Sequence, residues 1–161
     1  MNEKKDILVV GLGNPLMGDE GIGVCVLEAV SRDASSFPGV EFLDLGTGGM
    51  KVLHAIAGRR KVVFVDCAVM GGAPGAIRRF TVDEVRSQKV LGGVSLHEAD
   101  LFRLLELSRR LGECPQEVVI FGIEPARVAE GEGLSAAVRE RVDEYVRAVK
   151  EELAQEPDAP A

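Results

Sequence analysis

The apolar run Ile7-Leu8-Val9-Val10 ends at Gly11 and gives way to Gly11-Leu12-Gly13-Asn14-Pro15-Leu16-Met17-Gly18-Asp19-Glu20-Gly21-Ile22-Gly23. Beyond it, Ile22, Cys25, Val26, Ala29 and Val30 recur at the spacing of one helix face. The stretch is therefore the turn between a first strand and a first helix, the helix running from about Gly21 to Arg32. Its glycines let the backbone reverse tightly. It also carries two adjacent acids, Asp19 and Glu20. In an open parallel sheet such a turn lies at the carboxyl ends of the strands, in the crevice where ligands bind.

The alternation of strand and helix continues along the chain. Val40 to Leu45 reads as a second strand, and Met50 to Ala57 as a short helix after Gly46-Thr47-Gly48-Gly49. Lys61 to Asp66 contains Val62-Val63-Phe64-Val65, the unbroken apolar run of a strand covered on both faces. After the loop Met70 to Gly75, an edge strand is expected around Ala76 to Phe80, then a short helix from Val82 to Arg86. Leu91-Gly92-Gly93 reads as a second flexible loop. Leu101, Leu104, Leu105, Ser108 and Leu111 share one helix face, Val118 to Ile123 is a buried strand, and Ser135 to Leu153 is a closing helix. In that helix Val138, Val142, Tyr145, Val146 and Val149 face inward. The fold class is α/β: a three-layer αβα sandwich with a twisted, mostly parallel sheet of about five strands. A single domain over 1–161 is expected, with 1–5 and 155–161 frayed.

Composition removes several classes of partner. The net charge of −7 argues against a nucleic-acid backbone, which needs clustered positive charge. Aromatic residues at 4%, with no tryptophan, leave few platforms for stacked bases. No apolar run reaches the roughly 18 residues of a membrane span. Met1 to Asp6 leads into the first strand without the apolar stretch of a signal peptide, so a cytoplasmic location is expected. Cys25, Cys67 and Cys114 are odd in number and form no Cys-x-x-Cys pair, so they read as reduced, buried thiols. Arg59-Arg60-Lys61 and Arg78-Arg79 read as solvated surface, as does His54.

Three side chains distant in sequence map to one rim of such a sheet: Glu20 after strand one, Asp66 at the end of the third strand, and His97 before the Leu101 helix. Two carboxylates and an imidazole suit a divalent transition metal with coordination positions left open. Ser95-Leu96-His97-Glu98 fits a capping box and places His97 in a first helical turn. The helix dipole disfavours imidazolium there, and a neutral ring keeps the lone pair a metal needs. Asp19 reads as an N-cap or as support for Glu20. Cys67, beside Asp66, is the one nearby thiol for a cysteine-based alternative. Gly11-x-Gly13 after a strand, with Asp44 near the end of the second strand, leaves a Rossmann-like dinucleotide-binding enzyme as a further alternative, although Leu16 stands where that motif has its third glycine. A non-catalytic, metal-dependent binding or chaperone module uses the same crevice and remains an alternative.

The motifs resemble a known family. Gly11 to Gly23 is similar to the N-terminal signature of the NiFe-hydrogenase maturation endopeptidases. The resemblance continues through Asp44-Leu45-Gly46-Thr47-Gly48-Gly49, Val65-Asp66, Ser95-Leu96-His97 and Phe121-Gly122-Ile123-Glu124-Pro125. It implies a phosphorylase/hydrolase-like sandwich, a mixed sheet between helices. It also implies an endopeptidase that removes the C-terminal extension of a NiFe-hydrogenase large-subunit precursor after nickel insertion. By the same resemblance Glu20, Asp66 and His97 are the metal-binding and catalytic residues. The nickel is supplied by the substrate, with another divalent metal possible in the isolated protein. The chain departs from some relatives after His97, where Glu98-Ala99-Asp100-Leu101 follows directly, and this suggests a distinct subgroup of hydrogenase partner.

Overall fold

The computed structural model describes residues 4–84, 97–131 and 133–155; for 97–100 it describes the backbone but not the side chains. In chain order the elements are β1 (Ile7–Gly11), α1 (Ile22–Ser31), β2 (Val40–Asp44), α2 (Met50–Ile56), β3 (Lys61–Cys67) and β4 (Ile77–Thr81). Then come α3 (His97–Arg110), β5 (Glu117–Ile123), α4 (Ala136–Arg139) and α5 (Val142–Ala154). The sheet order is β2-β1-β3-β5-β4. β1 runs parallel to β2 and β3, and β3 parallel to β5. Only β4, at the edge, is antiparallel among these pairings.

The period-two alternation of each strand divides its side chains between two helical layers. Val9, Val63, Val65 and Val119 pack toward Ile22, Val26 and Val30 of α1 and Tyr145 and Val149 of α5. Leu8, Val10, Val62, Phe64 and Ile120 pack toward Val52 and Ile56 of α2 and Leu101 and Leu105 of α3. β3 is buried at every residue, as its central position and unbroken apolar run require. The expected three-layer α/β architecture is borne out. Gly23 shows how closely α1 approaches the sheet: a Cβ there would lie 2.3 Å from the Val65 carbonyl oxygen and 2.4 Å from that of Leu12.

Some expectations need correction. Arg59 and Lys61 are buried rather than solvated. Arg59 donates to Glu41 at 2.8 Å and to the Lys5 carbonyl at 2.7 Å. Lys61 pairs with Glu152 at 2.8 Å and Glu117 at 2.9 Å. Leu111 is exposed, one turn beyond the buried face of α3. The closing helix is two helices, α4 and α5, separated at Glu140 and Arg141. Cys25 and Cys114 are only half-buried, whereas Cys67 is buried; none of the three forms a disulfide. The short helix after β4 is described only to residue 84; its expected end, the Leu91-Gly92-Gly93 loop and residues 156–161 lie outside the described residues.

Candidate functional site

The parallel register brings the exits of β1, β2 and β3 to one edge of the sheet. Gly11 is level with Asp44 on one side and Val65 on the other. Backbone hydrogen bonds lace the exits together: Leu12 N–H donates to Val65 O (3.0 Å), Leu45 N–H to Gly11 O (3.1 Å) and Gly13 N–H to Gly46 O (2.6 Å). Asp44 Oδ1 accepts from Gly46 N–H at 2.9 Å, closing the turn that starts the Gly46 to Gly49 loop.

Asp66 lies next to the end of β3 and is fully buried. Its Oδ1 accepts from the Cys67 N–H at 2.8 Å. Glu20 is half-buried in a single 3-10 turn, Gly18–Gly21, that delivers the chain into α1. Gly13 lies between the two. It has a φ of +127°, and a Cβ there would sit 2.0 Å from the Glu20 carbonyl oxygen and 4.0 Å from Asp66 Oδ1. Any side chain at position 13 would thus collide with the Glu20 turn and crowd the Asp66 carboxylate. The glycine lets the two segments close on each other.

His97 is the first residue of α3. That helix runs back across the sheet, since Arg109 near its far end lines one cavity with Glu117 and Val118 at the start of β5. Leu101 and Leu104 line a narrow crevice with Leu12, Val52 and the Thr47–Gly49 loop. The first turn of α3 therefore stands at the same edge as the Glu20 and Asp66 segments. The His97 side chain and Ser95, with the expected capping box, lie outside the described residues. The structure thus brings together the Glu20 turn, the Asp66 carboxylate and the backbone start of the His97 helix. Among the described residues no cluster of three His, Cys, Asp or Glu side chains forms a metal cage, and the described set excludes the His97 ring.

Two further acids organise this edge. Asp19 is fully buried, and its side chain makes no cap in its own turn. Instead Oδ2 accepts from Ala126 N–H (2.8 Å), Arg127 N–H (3.0 Å) and the Ser135 hydroxyl (2.7 Å), while Oδ1 accepts from Ser135 N–H (2.7 Å). Burial pushes the Asp19 carboxyl up, but the donors from Ser135, Arg127 and Ala126 together hold it below the usual carboxylate range. Glu124, just past β5, is also buried, and its Oε1 accepts from Met70 N–H (2.8 Å) and Gly72 N–H (2.9 Å). The role of Asp19 depends on partners more than a hundred residues away, which no local pattern announces. The signal for Glu124 was its place directly after a buried strand, inside one of the motifs.

Comparison with known proteins places the chain in a family. The sequence profile of the HycI family, described as hydrogenase maturation protease, matches residues 24–152. The HupD hydrogenase expression/formation protein of Thiocapsa roseopersicina is 32% identical over 158 residues, covering 96% of this chain and 71% of the relative. The hydrogenase 2 maturation protease of Escherichia coli K12 is 33% identical over 138 residues, covering 85% of this chain and 84% of the relative. The solved structure of the hydrogenase-maturating endopeptidase HybD from E. coli superposes with a TM-score of 0.80 at 30% identity, covering 92% of each chain. The chain belongs to the hydrogenase maturation protease family. Asp66 and His97 fall inside the profile match and Glu20 just ahead of it.

Proposed function

We propose that this protease removes the C-terminal extension of a NiFe-hydrogenase large-subunit precursor. Glu20, Asp66 and His97 hold the nickel that the precursor carries. The observation that carries this reading is the junction at Gly13, where the Glu20 segment and the buried Asp66 carboxylate close on one glycine. An oxygen, oxygen, nitrogen donor set fits a divalent transition metal and leaves positions for groups of the substrate. Nickel held there is part of the substrate. It polarises the scissile carbonyl or a water, or fixes the peptide in place beside the carboxylates. A negatively charged edge also favours the approach of a cation-bearing partner.

A protein substrate also fits the surface around this edge. Leu16, Met50, Val69 and Val128 are exposed aliphatic side chains in the segments that follow β1, β2, β3 and β5. They lie in the same strand-exit segments as the acids, and exposed apolar side chains of this kind are what a folded partner covers.

The decisive experiment is mass spectrometry of the precursor C-terminus after incubation with the protein, using nickel-loaded and nickel-free precursor. Truncation of the nickel-loaded form alone is expected. Equal truncation of both forms would remove nickel from the recognition step. No truncation of either, with a stable complex formed, would favour the binding or chaperone alternative.

A further inference from the structure

We propose that Asp19 and Glu124 are positioning residues of the site, two buried carboxylates joined through the Pro125–Arg127 backbone that hold the Glu20 turn and the loop after Asp66 in one fixed relation. The inference rests on the reading of Glu20 and Asp66 as working carboxylates.

One end of this brace is the turn that carries Glu20. Besides the four hydrogen bonds to its carboxylate, Asp19 donates its own N–H to Arg127 O at 3.0 Å. The neighbouring residues are stitched to the same loop: Gly18 N–H donates to Gly131 O (3.0 Å) and Gly131 N–H to Leu16 O (2.9 Å). Gly18 has a φ of +62°, and a Cβ there would approach Arg127 O to 2.9 Å. The other end is the loop that leaves β3 two residues after Asp66. Glu124 Oε1 binds the N–H groups of Met70 and Gly72, while the Glu124 backbone accepts from Gly75 N–H (2.7 Å) and donates to Ala76 O (2.8 Å). Tyr145 Oη closes the far side of this loop by donating to Gly75 O at 2.6 Å. Only Pro125 separates Glu124 from Ala126, whose N–H binds Asp19. Proline fixes φ there and removes one backbone freedom from the link. The two walls of the site are thus referenced to one short segment, Glu124 to Arg127, which begins at a buried glutamate. Misplacing catalytic groups by about 1 Å can cost on the order of a hundredfold in rate.

The atoms involved make the chemistry separable. Both side-chain bonds of Glu124 fall on one oxygen, so a glutamine can present its carbonyl to Met70 and Gly72 and turn its amide away. Asp19 uses both oxygens, so an asparagine must set an N–H donor against a donor from the 126–135 loop. Processing kinetics should be measured on nickel-loaded precursor for Glu124→Ala, Glu124→Gln, Asp19→Asn and Ser135→Ala. Glu20→Gln and Asp66→Asn serve as reference variants, and Val149→Ala as a purely destabilising control in α5.

Glu124→Ala is expected to lower kcat by about tenfold to a hundredfold with little change in KM. Glu124→Gln should restore kcat to within about twofold, and Asp19→Asn should fall at least as far as Glu124→Ala. Val149→Ala should lower Tm without lowering kcat. If Asp19→Asn does not fold, Ser135→Ala, which removes only one donor, should still show a smaller drop in kcat. Wild-type kcat in folded Glu124→Ala and in Ser135→Ala would overturn the brace, as would a Glu124→Gln variant as slow as Glu124→Ala. Full activity in Glu20→Gln and Asp66→Asn would instead overturn the reading of the site itself.

Discussion

The two ends of the sheet both bury acids, but they neutralise them differently. At the carboxyl end Asp19 and Glu124 are held by backbone N–H groups and one hydroxyl among the described residues. At the amino end Glu152 of α5 is gripped by cations: Lys61 Nζ at 2.8 Å and Arg79 Nε at 2.6 Å. Arg59 meets Glu41 at the same end of the sheet. N–H dipoles stabilise a carboxylate without cancelling its charge, so the acids at the carboxyl end keep their negative charge. Lys and Arg cancel the charge, so the amino end becomes a clamp between β3, β4, β5 and α5. On the proposed function, one end is arranged for a visitor and the other for cohesion. A substitution at each should therefore move a different observable.

The largest effect is expected at the carboxyl end and in catalysis. On the proposed function, Glu20→Gln, Asp66→Asn and His97→Ala each remove a donor to the substrate's metal. Metal-centred stabilisation is worth several kcal/mol, which translates to roughly a 10²- to 10⁴-fold loss of processing. Far-UV spectra and Tm of Glu20→Gln and His97→Ala should stay close to wild type. Near-normal processing by all three variants would remove the assignment of these residues.

At the amino end the order reverses. Lys61→Met leaves Glu152 and Glu117 without their shared lysine. Losing one partner of a buried pair costs about 3 kcal/mol, which lowers Tm by roughly 6–12 °C for a chain of this size. Processing per folded molecule should not change. A large drop in kcat at a temperature where the variant is folded would show that the two ends are coupled.

Acidification tests the same end with a smaller effect. Burial pushes the Glu152 carboxyl up, but hydrogen bonds from Arg79 and Lys61, with their charges, bring it below its ordinary value of 4.5. A carboxylate depressed in the folded state stabilises the protein above its unfolded pKa, and that contribution is lost as pH falls through the folded one. Thermal melts from pH 7 to pH 3 should therefore show stability lost below about pH 4.5, with Glu152→Gln less stable at pH 7 and shallower in the acid range. Parallel curves for the two proteins would contradict the ion-pair account.

The same contrast explains what the sequence disclosed. The Gly11–Gly23 turn, Asp66 at a strand end and the first-turn position of His97 follow from local patterns: an apolar run, its glycine-rich exit and a helix period. β4 was legible as an edge strand because Arg78 and Arg79 interrupt its apolar character. Long-range partners left no local trace. Arg59 and Lys61 look like a solvated basic run until Glu41 and Glu152 arrive from other elements. No glycine or proline marks the division between α4 and α5. Ser135, at the head of α4, is held by Asp19, whereas Tyr145 of α5 is fixed on Gly75, and these separate anchors replace one continuous helix.

The smallest expected effect comes from Cys67, the last residue of β3, the strand that runs from Lys61 at one end to Asp66 at the other. It follows Asp66, and its N–H donates to that carboxylate, but its side chain belongs to the apolar layer beneath α1 and α5. Strand alternation thus turns the thiol away from the face that Asp66 occupies. A catalytic thiol needs a thiolate near a cation or helix start and access to substrate, and Cys67 is fully buried. Burial raises the pKa of Cys25 and Cys114, keeping those thiols protonated. Cys67→Ser retains the backbone donor to Asp66 and places a hydroxyl in an apolar layer, at a cost of about 1–2 kcal/mol. Processing should stay within about twofold of wild type at a temperature where the variant is folded, because the substitution reaches Asp66 only through an unchanged N–H. Loss of processing in a folded Cys67→Ser protein, with Cys67→Ala equally inactive, would transfer the proposed chemistry from the carboxylates of Glu20 and Asp66 to the thiol.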